Sequence, residues 1–102
     1  MYRGSTPTFT FEFDIEFNGL TALSVVFSQK EEVKVEKTLE ECEVKGNQIT
    51  ITLTEEETLK FETDGMRNLY TDVQFKFGFD DKRVISDIVQ VVVKPILKDG
   101  AL

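Results

Sequence analysis

Acid–base chemistry in this chain would have to rest on carboxylates, because its 102 residues include 19 Asp and Glu but no His. The lack of histidine removes the usual general base, the commonest zinc ligand, and the Ser–His and Cys–His nucleophile pairs. In the stretch "TFTFEFDIEF", Glu12, Asp14 and Glu16 alternate and share one strand face, where a glycosidase could hold two acids roughly 5 to 9 Å apart. The same three residues also suit a solvated face that discourages edge aggregation, and no Trp or Gly-rich loop supplies a cleft. Asp80-Asp81 with Asp64 or Asp87 could gather oxygens for calcium. No D-x-[DN]-x-[DN]-G loop accompanies them, however, and Asp is favoured in turns for backbone reasons. Glu55-Glu56-Glu57 similarly fits the first turn of a helix, where the dipole favours negative charge. The expectation is no catalytic residue, no metal and no cofactor.

Two other kinds of side chain deserve the same weighing. Cys42 has neither a disulfide mate nor a base beside it, so it reads as a small packed thiol. Sugar-binding sandwiches present flat exposed aromatics, and the Phe residues here alternate inward, which leaves Tyr2 and Tyr70 as the candidates for such contact or for docking.

The elements that would position these residues are strands. Phe9, Phe11, Phe13, Ile15 and Phe17 share a face over Thr8 to Phe17. A three-residue loop Asn18-Gly19-Leu20 would pair Ile15 with Leu23, Phe13 with Val25 and Phe11 with Phe27, unless the two strands instead face each other across the core. A turn at Lys30-Glu31 should set Phe27 opposite Val33 and Val25 opposite Val35. A two-residue loop at Gly46-Asn47 should pair Val44 with Ile49 and Cys42 with Ile51. Thr54 and Glu57 form a capping box for a short helical turn near residues 55–60, with Leu59 and Phe61 plugging it onto the end of the domain. Val73, Phe75, Phe77 and Phe79 alternate in a long strand. The run Val84 to Val93 is apolar in both parities, which predicts a bulge near Ser86-Asp87 or burial on both faces. Pro95 ends regular pairing. The sum is an all-β, Ig-like antiparallel sandwich of about seven strands.

Composition sets the outer limits. One domain is expected, with residues 1–7 as a flexible N-terminal arm, 8–94 as the sandwich and 95–102 as a tail. The net charge of −7 repels phosphate backbones and anionic headgroups, so neither nucleic acid nor a membrane surface is an expected partner. The start "MYRGSTPT" has no apolar h-region, which gives synthesis in the cytoplasm as the expectation.

"RGSTPT", "VVFSQ", "VEKT", "KGNQITITLTEEETLKF" and "SDIVQV" together resemble a family of small proteins encoded among the structural genes of tailed phages and prophages of Gram-positive bacteria. The resemblance runs from Arg3 to about Leu97, and its most distinctive part is Leu53-Thr54 with Glu57-Thr58-Leu59 and Phe61. More remotely, the pattern is similar to the Ig-like N-terminal domain of phage baseplate upper proteins. It implies a virion or assembly context and no catalytic residues. The expected function is that of a non-enzymatic structural or assembly accessory, made in the host cytoplasm and carried in the virion, with phage structural proteins as partners or with itself as a homo-oligomer. The first strand is the candidate edge for contact, through Thr8, Thr10, Glu12, Asp14 and Glu16, and Tyr2, Tyr70, Ile96 and Leu97 are candidate docking residues. The alternative is a small carbohydrate- or ligand-binding sandwich module.

Overall fold

Alternating apolar and polar residues fold into strands with one face each to bury, and two such sheets bury them against each other. The computed structural model describes residues 1–95. In it the strands are β1 (Thr8–Glu12), β2 (Leu20–Gln29), β3 (Glu32–Thr38), β4 (Glu43–Lys45), β5 (Gln48–Thr52), β6 (Leu69–Phe79) and β7 (Val84–Val93), with one helical turn, α1 (Glu55–Thr58), and a 3₁₀ turn at Leu39–Glu41. They form two antiparallel sheets, ordered β1-β5-β4 and β3-β2-β6-β7. The Ig-like β-sandwich expected from the sequence is the fold.

Aromatic rings fill the space between the sheets. Phe13 meets Phe75 and Phe77 edge-on, with ring centroids 5.0 and 5.2 Å apart, and Phe11 meets Phe75 at 5.0 Å. Val25, Phe27, Ile49, Ile51, Val73 and Phe77 are sealed from solvent around them. Such tilted ring pairs place a positive edge on a negative face and add to the stabilisation from burial alone.

The first strand is shorter than its pattern. Regular pairing stops at Glu12, yet Phe13 and Phe17 remain buried, because the chain there crosses between the sheets. The amides of Phe13 and Phe17 donate to the carbonyls of Asn47 and Gly46, which holds the crossing segment against the β4–β5 turn. Of the two arrangements left open for β1 and β2, the facing one is found: β1 pairs with β5, matching Phe9 to Ile51 and Phe11 to Ile49, and β2 lies in the other sheet.

Two local registers depart from expectation. Lys30 and Glu31 both adopt positive φ, at 51° and 66°, which makes a tight two-residue turn that pairs Gln29 with Glu32. A bulge between Phe27 and Ser28 then sets Phe27 opposite Val35 and Val25 opposite Lys37, rather than opposite Val33 and Val35. Val33 is left exposed and Lys37 is carried inward. In β7 the register with β6 is unbroken from Leu69↔Val93 to Gly78↔Val84, so the expected bulge is absent. Burial on both faces is absent too. Ile85, Val89, Val91 and Val93 point inward, while Val84 and Ile88 point outward and are 61% and 53% exposed.

The remaining local expectations divide as follows. Val44 does face Ile49 across the Gly46-Asn47 turn, but β4 is too short to bring Cys42 opposite Ile51. Thr54 Oγ1 accepts from the Glu57 amide at 3.2 Å while a Glu57 carboxylate oxygen accepts from the Thr54 amide at 2.8 Å, completing the capping box. Phe61 is buried as the plug, whereas Leu59 is exposed, because α1 ends before it and turns its side chain off the core.

Gly19 gives this fold a sharp test. Its φ of +78° lies in the left-handed region, and a Cβ there would come within 2.6 Å of Asp80 Oδ1. Gly46 has a similar φ of +61° but open space around it. Gly46→Ala should therefore cost about 1 kcal/mol from backbone strain alone, and Gly19→Ala about the same, because the Asp80 carboxylate is the free end of a flexible side chain that can swing aside. Urea titration of both variants checks this, and a much larger loss in Gly19→Ala would show that Asp80 is held against the turn.

Candidate functional site

β1 lies at the edge of its sheet, and its hydrogen-bond phase decides what it offers a partner. The Leu53 amide donates to the Pro7 carbonyl and the Phe13 amide to the Asn47 carbonyl. In an antiparallel pair these directions alternate, so Phe9 and Phe11 also face β5, while the N–H and C=O of Thr8, Thr10 and Glu12 point away from it. Those outward groups have no partner strand among the described residues. On the outer sheet face Thr8 and Thr52 hydroxyls are 2.9 Å apart and those of Thr10 and Thr50 3.0 Å, cross-strand pairs that support the edge strand. Asp14 and Glu16 lie beyond the strand, exposed on the crossing segment.

The other edges are better guarded. β4 has three residues. β3 is bulged, and the crossover after α1 lies beside it, with Glu62 3.8 Å from Lys34 Nζ and its amide bonded to Gln29. The far end of β7 is covered by the leader: the Met1 amino group donates to the Val92 carbonyl and the Arg3 amide to the Lys94 carbonyl. Near the middle of β7, Asp87 Oδ1 accepts from the outward Ile88 amide at 2.8 Å, occupying a donor that a new strand would need. Bulges, charges and brief strands are the ordinary devices against unwanted edge pairing, and β1 has the fewest of them.

The leader, residues 1–7, lies along the domain. Beyond its contacts with β7, the Gly4 amide donates to Thr58 Oγ1, and that hydroxyl donates to the Ser5 carbonyl. Tyr2 bridges Lys94 in parallel, and the Lys94 ammonium stands 5.1 Å from its ring. Tyr70 is opposite Val92 on the outer face of the same sheet. The two tyrosines are thus brought to one end and one face, 38% and 60% exposed. Ile96 and Leu97 lie outside the described residues.

The carboxylates do not converge. Asp64 precedes β6 and Asp80-Asp81 follow it, at opposite ends of an eleven-residue strand, while Asp87 is midway along β7 opposite Phe75. Among the described residues no three His, Cys, Asp or Glu side chains are grouped to hold a metal ion. Asp81 is engaged by Arg83, whose backbone amide and guanidinium hold its carboxyl below the usual aspartate range. Cys42 is a half-buried free thiol; burial, and then the neighbouring Glu41, push its pKa up, which makes it a poor nucleophile.

Sequence reasoning missed two features. One is the outward exposure of Val84 and Ile88 on the outer face of the four-stranded sheet, for which the mixed parity of Val84 to Val93 was the available signal. The other is the inward Lys37, which is bonded to Glu57 at 2.8 Å and whose position depends on the bulge.

The edge is testable directly. Thr10→Pro deletes an amide that bonds nothing in β5, and its neighbour Phe9 already has the extended backbone a following proline favours, so the variant should keep a cooperative unfolding transition. Phe11→Pro deletes an inward amide and should unfold well beyond the loss seen in Phe11→Ala. Circular dichroism melts of the three decide it, and collapse of Thr10→Pro would mean that its amide faces inward.

No family model matches the chain, and no curated protein matches it. Among solved structures it is similar to CopC from Methylosinus trichosporium OB3b, with a TM-score of 0.53 over 95% of this chain and 85% of that one, at 13% identity. At that identity the likeness speaks to the fold alone: a β-sandwich of this architecture has been seen in another chain of unrelated sequence.

Proposed function

We propose that this protein is a non-enzymatic structural or assembly accessory of a tailed phage or prophage, acting through protein–protein contacts at the β1 edge. The observation that carries the contact mode is the row of outward N–H and C=O groups on Thr8, Thr10 and Glu12, on the least guarded edge of a rigid sandwich. An extended partner segment adds to such an edge by main-chain pairing, with side-chain pockets setting preference. The phage context is supported by the resemblance described above, above all by Leu53-Thr54 with Glu57-Thr58-Leu59 and Phe61. Particles purified after induction of a strain carrying the gene should contain the chain by mass spectrometry, and Thr10→Pro should lower their yield or the amount of the chain in them. Absence of the chain from particles, together with unchanged yield in its deletion, would sink the proposal.

A second reading is favoured by one observation, the placement of Tyr2 and Tyr70 on the same face at the same end of the four-stranded sheet. Paired exposed aromatics are a common platform for sugars. Glycan-array binding that disappears in Tyr70→Ala would favour a carbohydrate-binding module over the assembly role.

A further inference from the structure

We infer that the partner of the β1 edge is a second copy of this chain, joined to the first by antiparallel pairing of the two β1 strands about a two-fold axis at Thr10. This rests on the edge reading above and names its occupant. The outward residues Thr8, Thr10 and Glu12 are spaced symmetrically about Thr10, so an antiparallel copy brings Thr10 opposite Thr10 and Thr8 opposite Glu12. Centring the pair on Glu12 would put two like charges face to face, which disfavours that register. With Thr10 at the axis, the outer-face hydroxyl pair Thr50–Thr10 is continued by its two-fold equivalent in the other copy.

The inner face fits the same register. Phe9 and Phe11 are only half-buried at the open margin of the core, stacked with centroids 5.9 Å apart. In the paired strands Phe9 of each copy falls opposite Phe11 of the other, so the exposed parts of four rings cover one another, as aromatic cross-strand pairs do. The contact is small, and each copy carries a net charge of −7, so it should be weak in dilute solution and strengthen where copies are held close together.

Sedimentation velocity over a concentration series reaching about 1 mM, the range in which small interfaces populate, tests the pairing. Wild type should shift reversibly to a dimer and Thr10→Pro should remain monomeric. The register is tested by charge at an exposed position: Thr8→Lys faces Glu12 of the other copy and should tighten the dimer several-fold, and Thr8→Glu should weaken it. Since Thr8 points to solvent, these variants fold whatever becomes of Thr10→Pro. A wild-type chain that stays monomeric throughout, or a dimer unmoved by Thr8→Lys, Thr8→Glu and Thr10→Pro, overturns the inference. If wild type is monomeric while Thr10→Pro alone depletes the chain from particles, the edge reading survives and pairing between copies falls.

Discussion

Phe75→Ala should lower the melting temperature by roughly 15 to 30 °C, the shift expected when a buried phenylalanine is removed from a domain of this size at about 3 to 5 kcal/mol. The ring is 1% exposed and sits where the two sheets meet: Phe11 and Phe13 of the three-stranded side approach it edge-on, and Phe77 stacks 6.0 Å away on its own strand. Its neighbours come from two different sheets, so they cannot close the void without one sheet moving against the other. That makes the cavity hard to relax and puts the loss at the upper end of such changes. Phe9→Ala is the control, being an aromatic truncation at the partly buried margin, and should cost clearly less, because part of the ring is already in contact with water. Differential scanning calorimetry of both variants compares them directly. If Phe75→Ala were no worse than Phe9→Ala, the sheets would not be held together through this ring.

Which features could be read from the amino-acid order follows from what each one depends on. The C-terminal part of β6 was legible from the alternation of Val73, Phe75, Phe77 and Phe79, though not its start at Leu69, and β7 was legible from the apolar run Val84 to Val93; the capping box at Thr54 and Glu57 needs only four residues. The crossing segment after Glu12 was not legible, since Phe13, Ile15 and Phe17 keep a strand's alternation while the backbone leaves the sheet to carry Phe17 over Phe77. Nor was the bulge in β2–β3, where one inserted position puts Val35 opposite Phe27 in place of Val33, turns Val33 outward and brings a lysine inward opposite Val25. In both cases a tertiary demand overrode the local period. Of the candidate contact residues, Thr8, Thr10 and Glu12 share a free edge, and their outward hydrogen-bonding phase could be deduced only once β5 was known to be the neighbour. Tyr2 and Tyr70, 68 positions apart in the chain, come to the same end of the sheet, on either side of β7, because the leader adds in parallel beside that strand. No spacing rule contains that.

Glu57→Ala should destabilise the domain by about 3 kcal/mol, because it strands the Lys37 ammonium in a poorly hydrated place as well as removing a cap. The two side chains retain 9% and 19% of their exposure, with 2.8 Å between ammonium and carboxylate, and Glu57 also accepts from the Thr54 amide. One carboxylate therefore ties α1, the crossover between sheets, to β3. Partial burial pushes the Glu57 pKa up, but hydrogen bonds from Lys37 and Thr54 outweigh this and hold it below the ordinary glutamate value. A depressed folded pKa contributes stability that is fully present above the unfolded value and is lost as pH falls through the folded one. Wild type should accordingly lose stability on acidification across that window, and Glu57→Gln should show a flatter profile there from a lower starting point. The double variant Lys37→Met with Glu57→Gln separates charge burial from geometry: it should recover most of the loss, since an apolar stem in the same volume needs no counter-ion. Urea titrations of the four proteins at neutral and acid pH give the coupling energy, and additive losses with identical acid slopes would mean that the pair is solvated and contributes nothing to holding the crossover in place.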